Sequence, residues 1–303
     1  MKHKTSKCHP SILFSFLLLL LSSVIASCSG DEANESASEP GKSLGLASIP
    51  NLRDLGGYET TSGARVAYGL VYRSNQLYGI SPSDMLMLTK LHLKNCYDMR
   101  TVTERNAKPN ELPDGVHSLW LNVMADFSTT GSVNLLEILS DPQRANAELG
   151  EGKIEAMFEA GYRQFISLAS ANKAYSELFR SLGDTNRLPA LFHCTTGKDR
   201  TGWAAAALLS LLGVPKDLVI EDYMRSNEYI LPLYEATIQQ FIAAGGDPSI
   251  PTAALGVKEE YLNAAFDEMQ MTYGSIEKYF SEGLGLTDDQ QTALRNTLTI
   301  INH

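Results

Sequence analysis

The sequence predicts an α/β protein: a mostly parallel central sheet flanked by helices, with a helical insertion before its most informative strand. Three observations predict it. Short apolar runs alternate with segments of helical spacing between residues 81 and 123. Residues 125–182 keep apolar side chains at helical spacing, interrupted at Asp141-Pro142 and Leu149-Gly150. An apolar run at 188–192 then ends at His193-Cys194, passes through a short glycine-containing loop, and enters Trp203-Ala204-Ala205-Ala206-Ala207-Leu208-Leu209, a block of strong helix formers.

The chain begins with a segment that does not belong to this fold. Lys2, Lys4 and Lys7 form a basic head, residues 12–21 are apolar apart from Ser15, and Ile25-Ala26-Ser27-Cys28 follows. This is the pattern of a secretory signal, and the apolar run is too short for a comfortable membrane span. The ending resembles the bacterial lipobox. That resemblance implies cleavage before Cys28 and lipidation of its new N-terminus, with anchoring to a membrane outside the cytoplasm, at the outer membrane or cell surface. Ordinary signal cleavage nearby is the alternative. Residues 29–46 are rich in Ser, Glu, Ala and Gly and read as a flexible tether. The folded domain is expected over 47–303.

In that domain, 51–57 is turn-rich, with Gly56-Gly57 as punctuation. Residues 65–67 and 70–72 flank Tyr68-Gly69 and read as a hairpin. Ser81-Pro82-Ser83-Asp84 opens a helix with a cap, a first-turn proline and an acid near the positive end. Strands are expected at 93–99 and 119–123, with a short helix starting at Thr101 and Glu104 between them. After the helix at 203, helices are expected at 217–227, 229–244, 258–272 and 275–282. Thr287-Asp288-Asp289-Gln290 matches a capping box for the last one.

Composition narrows the function. The 303 residues carry 25 basic and 35 acidic side chains, a net charge of −10, and loss of the leader removes three lysines and no acid. Nucleic acid is excluded as a partner on that balance, and broad adhesion to anionic lipid is disfavoured. Four cysteines show neither zinc-site nor disulfide-framework spacing. An anionic ligand must therefore be held by a local site.

The stretch His193-Cys194-Thr195-Thr196-Gly197-Lys198-Asp199-Arg200-Thr201-Gly202 supplies one. A loop wrapping onto a helix N-terminus aims backbone N–H groups at one point and binds an anion there. Such groups, with the Arg200 charge, favour a thiolate at Cys194. Arg200 offers a planar fork matching two phosphate oxygens, and Thr195, Thr196, Gly197, Lys198 and Asp199 complete the cradle. Thr201 places a hydroxyl close to the sulfur, and His193 orients the cysteine. The set reads as a thiolate that attacks phosphorus and passes the phosphoryl group to water. No metal or cofactor is called for, because Arg200 and the amides neutralise the charge.

This stretch resembles the signature of the cysteine-dependent protein tyrosine phosphatase superfamily: His-Cys, five residues, Arg, then Ser or Thr. Its Gly-Lys-Asp-Arg-Thr-Gly ending is similar to the bacterial tyrosine/lipid phosphatases related to the mycobacterial tyrosine phosphatase B. Asn51-Leu52-Arg53-Asp54-Leu55-Gly56-Gly57, Asp98-Met99-Arg100 and Tyr273-Gly274-Ser275 fit the same branch in order. The resemblance implies a tyrosine-phosphatase-like fold and hydrolysis of phosphomonoesters, either phosphotyrosine on proteins or phosphoinositides. A rhodanese-like sulfurtransferase is a distant alternative that the Arg-Thr-Gly ending opposes.

A leaving oxygen needs a proton. Asp199, inside the loop, is the first candidate for the acid, Asp98 at a strand end the second, and Asp126 the third; a dipole-stabilising role for Asp199 stays open. Lys198 is a second cation suited to a substrate with more than one phosphate, or else a residue that tunes the anion site. Arg53, Asp54 and Arg73 read equally as loop braces or structural ion pairs. The insertion reads as a lid over the site or as core. Cys96 is a candidate to pair reversibly with Cys194 under oxidation.

Overall fold

The computed structural model describes residues 39–127 and 135–301. The signal segment 1–28 with Cys28, and the tether up to residue 38, lie outside the described residues. The strands are β1 Arg53–Asp54, β2 Ala64–Val66, β3 Val71–Ser74, β4 Asn95–Asp98, β5 His117–Trp120, β6 Ala190–His193 and β7 Thr299–Ile301. The first helices are α1 Pro82–Thr89, α2 Val102–Ala107, α3 Leu135–Leu139, α4 Pro142–Leu149, α5 Lys153–Ser167, α6 Ala169–Leu182, α7 Arg200–Leu211 and α8 Lys216–Met224. Then come α9 Ser226–Ile230, α10 Glu235–Ala243, α11 Ser249–Leu255, α12 Glu259–Tyr273, α13 Ile276–Lys278 and α14 Asp288–Leu298.

The central sheet has the order β1-β3-β6-β4-β5, with β3, β6, β4 and β5 parallel and β1 antiparallel at the edge. Every residue of β3, β4 and β6 is buried, as expected for parallel strands covered on both faces. Alternate residues serve two cores. Tyr97 and Phe192 join the large one with α6, α7 and α12, while Cys96 and Leu191 join a smaller one with Leu46, Leu52, Tyr72 and Leu88. Asp98, His193 and Trp120 are level across the sheet, so β4, β6 and β5 end along one rim.

Several expectations are corrected. The hairpin at 65–67 and 70–72 does not form. β2 pairs with β7, and β3 enters the central sheet beside β6. Val71 and Tyr72 are both buried, so β3 needs cover on two faces, which a surface hairpin cannot give it. The strand expected at 119–123 lies at β5, with Leu121 and Val123 buried beyond its end. The helix expected at 229–244 is broken where Pro232 removes a backbone donor, leaving α9, a tight turn and α10. α11, which contains Pro251, was not expected at all. Residues 39–46, read as tether, are packed on the fold: Glu39 pairs with Arg225, the Ser43 N–H donates to the Tyr229 hydroxyl, and Leu46 is buried.

The caps follow the sequence. Ser81 accepts from the Asp84 N–H, and Thr101/Glu104 and Thr287/Gln290 form capping boxes. In the insertion, α5 and α6 belong to the large core through Tyr162, Phe165, Ile166, Tyr175 and Phe179. α3 and α4 pack with α10 and α11 in a separate cluster.

Candidate active site

Cys194 follows the last residue of β6 and is buried. Residues 194–199 run from that strand to the N-terminus of α7, which is buried almost all round, so the loop is fixed at both ends. Its carbonyls are tied to the scaffold. The His193 ring nitrogen Nδ1 bonds the Cys194 carbonyl at 3.0 Å, and the Gln76 N–H donates to the Thr195 carbonyl at 3.0 Å. Asn51 Nδ2 donates to the Thr196 carbonyl at 3.0 Å, and Arg73 Nη2 to that of Gly197 at 2.8 Å. By contrast, the N–H groups of residues 195–199 find no protein acceptor among the described residues. With the carbonyls turned out and the amides unclaimed, the loop is a ready anion cradle.

Gly197 makes that turn possible. Its φ is +73°, and a Cβ there would lie 2.4 Å from the Ser74 carbonyl oxygen. Behind it, Arg73 Nη1 pairs with Asp222 at 2.5 Å, and Asp222 also accepts from Arg53 Nη1 at 3.0 Å. Burial opposes charge on Asp222, but the two guanidinium groups outweigh it and hold its carboxyl below the usual range. Arg73 therefore braces the loop directly and Arg53 acts through Asp222. Asp54 instead accepts from the N–H groups of Gly56 and Gly69 and fixes the local turn.

Arg200 opens α7 and meets Glu104 of α2 in a two-pronged pair, Nη1 to Oε2 at 2.8 Å and Nη2 to Oε1 at 2.7 Å. The Thr195 hydroxyl also donates to Glu104. Burial works against the charged form of Glu104, yet Arg200 and Thr195 pull its carboxyl well below the ordinary value. One carboxylate thus serves the capping box of α2 and aims the Arg200 fork. Thr201 Oγ1 is fully buried with no hydrogen-bond partner among the described residues.

His193 is enclosed, and burial pushes it down to about 4 against the pull of Asp98. Asn110 Nδ2 lies 3.1 Å from Nε2, so the neutral ring accepts there and donates from Nδ1 to the Cys194 carbonyl.

The acid candidates separate clearly. Asp98 is fully buried and accepts from Arg100 Nε and Nη2 at 2.9 and 2.8 Å, from Arg105 Nε at 3.1 Å and from Asn110 Nδ2 at 3.2 Å. Burial favours its neutral form, but Arg100 above all outweighs it and keeps the carboxyl below its usual range. With both oxygens held by Arg100, Arg105 and Asn110, Asp98 anchors the strand end. Asp126 accepts from the Ser170 N–H at 2.7 Å at the start of α6, lining a separate cavity of about 480 Å³. Asp199 stands at the N-cap of α7 but makes no side-chain cap bond; its Oδ1 accepts from Tyr162 at 2.9 Å and from Lys198 at 2.8 Å. Lys198 is buried against Asp199, its Nζ 4.7 Å from the centre of the Phe158 ring. α5 therefore both packs in the core and walls the loop.

Cys96 cannot guard Cys194. Cys96 is level with Leu191 and Asp98 with His193, so Cys194 is level with residue 99, of opposite parity. The two thiols belong to different cores. Glu104 was legible only as a cap. Asn51 was visible as part of a turn motif and Tyr162 only as part of an apolar helical face, while Asn110, Asp222 and Tyr223 gave no local signal.

The strand–loop–helix unit brings Cys194 at the end of β6 and Arg200 at the start of α7 to one loop whose free amides suit a phosphate-sized anion. The chain belongs to the tyrosine phosphatase family, whose model matches residues 44–300, and phosphatase activity follows from that membership. Among similar proteins is a Cupriavidus necator protein with a provisional tyrosine-protein phosphatase name, 30% identical over 254 residues, covering 84% of this chain and 88% of that one. Another is the triple specificity protein phosphatase PtpB of Mycobacterium tuberculosis, 29% identical over 255 residues, covering 76% of this chain and 91% of that one. The solved structure of P. aeruginosa TpbA overlaps 68% of this chain and 91% of its own at 17% identity, with a TM-score of 0.28, too low to carry weight.

Proposed function

We propose that the chain hydrolyses phosphomonoesters, phosphotyrosine first among them, through a phosphocysteine on Cys194. The observation that carries this is the division of the loop: carbonyls bound outward to Gln76, Asn51 and Arg73, amides left for three phosphate oxygens. The Cys194 thiolate attacks phosphorus as the ester P–O bond breaks, and Asp199 gives its proton to the leaving oxygen. Water then attacks the phosphocysteine and returns a proton to Asp199, while the thiolate leaves. Arg200, held by Glu104, and the amides stabilise the charge on the equatorial oxygens. Lys198 is already engaged by Asp199, which favours an ester with one phosphate over an inositol ring carrying several.

The test is a panel of phosphotyrosyl, phosphoseryl and phosphoinositide substrates in chelator, with wild type and Cys194→Ser. Fastest turnover of phosphotyrosine, and none in the variant, is expected. Faster phosphoinositide turnover would replace the substrate reading, and residual turnover in Cys194→Ser would remove the mechanism.

We propose also that the chain is exported and anchored through a lipid on Cys28, on the strength of the basic head, the short apolar run and the Ile-Ala-Ser-Cys ending. Cys28→Ala should move the protein from the membrane fraction to the soluble one; an unchanged distribution contradicts the anchor.

A further inference from the structure

Asp199 is the end of a hydrogen-bonded chain that reaches back through two helices. The Tyr223 hydroxyl of α8 donates to the Tyr162 hydroxyl of α5 at 2.6 Å, and Tyr162 donates to Asp199 Oδ1 at 2.9 Å. Both tyrosines are fully enclosed, and burial raises both well above the ordinary phenol value, so they stay neutral donors. Their rings meet edge to face, 6.1 Å between centroids. The signature glycine Gly202 makes room for this chain, since a Cβ there would lie 3.0 Å from the Tyr223 ring.

We propose that Tyr162, itself fixed by Tyr223, is a positioning residue for the general acid. Tyr162 and Lys198 both occupy Oδ1, so the transferable proton is confined to Oδ2. A carboxyl held by one oxygen cannot swing away from the leaving group, which is the geometric demand on an acid. The role rests on the proposed assignment of Asp199. The other charged or titratable groups around Asp199 are Arg200 and Cys194 of the loop and helix, Tyr175 of α6 and Tyr261 of α12. None of these donates to its carboxylate. Lys198 shares Oδ1, so Tyr162 is the neutral donor whose removal leaves the charge balance unchanged.

The acid must carry its proton, so rate falls as pH rises through its ionisation. A hydrogen bond donated to Oδ1 favours the carboxylate, so removing one moves that limb to higher pH.

Rate–pH profiles are measured for wild type, Asp199→Asn, Tyr162→Phe and Tyr223→Phe. Each is assayed with a phosphotyrosyl peptide, whose leaving group needs a proton, and with 4-nitrophenyl phosphate, whose leaving group needs one far less. In Tyr162→Phe, kcat for the peptide should fall about tenfold with KM within roughly twofold, and the limb should move to higher pH. The nitrophenyl ester should lose no more than about threefold. Tyr223→Phe should shift in the same direction by less, and stands in for Tyr162→Phe if that variant does not fold. Equal losses on both esters with an unmoved limb, or no change at all, overturn the inference alone. A limb that survives in Asp199→Asn overturns the choice of acid and the inference with it.

Discussion

Glu104 shows how one side chain can hold two structures together. Its carboxylate accepts from the Thr101 N–H and hydroxyl at the start of α2, and from both prongs of Arg200 across the cleft. Removing it leaves a nearly buried guanidinium without its partner. Glu104→Ala should weaken phosphate inhibition and reduce kcat/KM at least about tenfold, with a stability loss of ~2 kcal/mol, since the pair is partly solvated. Equal phosphate affinity in the variant would show that Arg200 needs no such aim. The capping box was legible because its two residues lie three apart. The Arg200 partnership was not, because it spans 96 residues and leaves no periodic trace. For the same reason Asp98 was readable as a strand-end acid but not as an anchor, since Arg105 and Asn110 reach it from beyond the strand.

At the scale of the element, the loop is set by its neighbours as much as by its own residues. Asn51 beside β1, Arg73 of β3 and Gln76 just after β3 fix three successive carbonyls. Gly197 alone accepts the resulting backbone without strain. Gly197→Ala should abolish phosphate binding and lower the unfolding free energy by about 1–3 kcal/mol. Binding within twofold of wild type would show that the cradle does not need this turn. The strand, loop and helix of the site were readable, since burial on all sides makes α7 a block of apolar and small residues. The false hairpin at 65–72 arose because two short strands around Tyr68-Gly69 look alike whether they pair with each other or with distant partners.

Across the whole molecule, the parallel sheet separates two cores and puts the ends of β4, β5 and β6 at one rim. That architecture followed from the alternation of runs, while the allocation of Cys96 and Cys194 to opposite sides needed the register. Three ionised carboxyls, Asp98, Glu104 and Asp222, tie this framework together. Their folded values are depressed, so their contribution is full above about 4.5 and is lost as pH falls below it. His193 is neutral when folded, from 6.5 down to about 4, so its contribution begins to fade below 6.5. The urea midpoint should therefore decline gently from pH 6.5 and steeply below 4.5; a midpoint flat to pH 3 would contradict it. The central claim is that Cys194 carries the phosphoryl group between ester and water. It is tested most directly by acid-quenching the enzyme during turnover of a phosphotyrosyl peptide labelled on phosphorus and mapping the label. The account predicts label on Cys194 and none on Cys194→Ser. Turnover with no label on the protein, or with label on another residue, would contradict it.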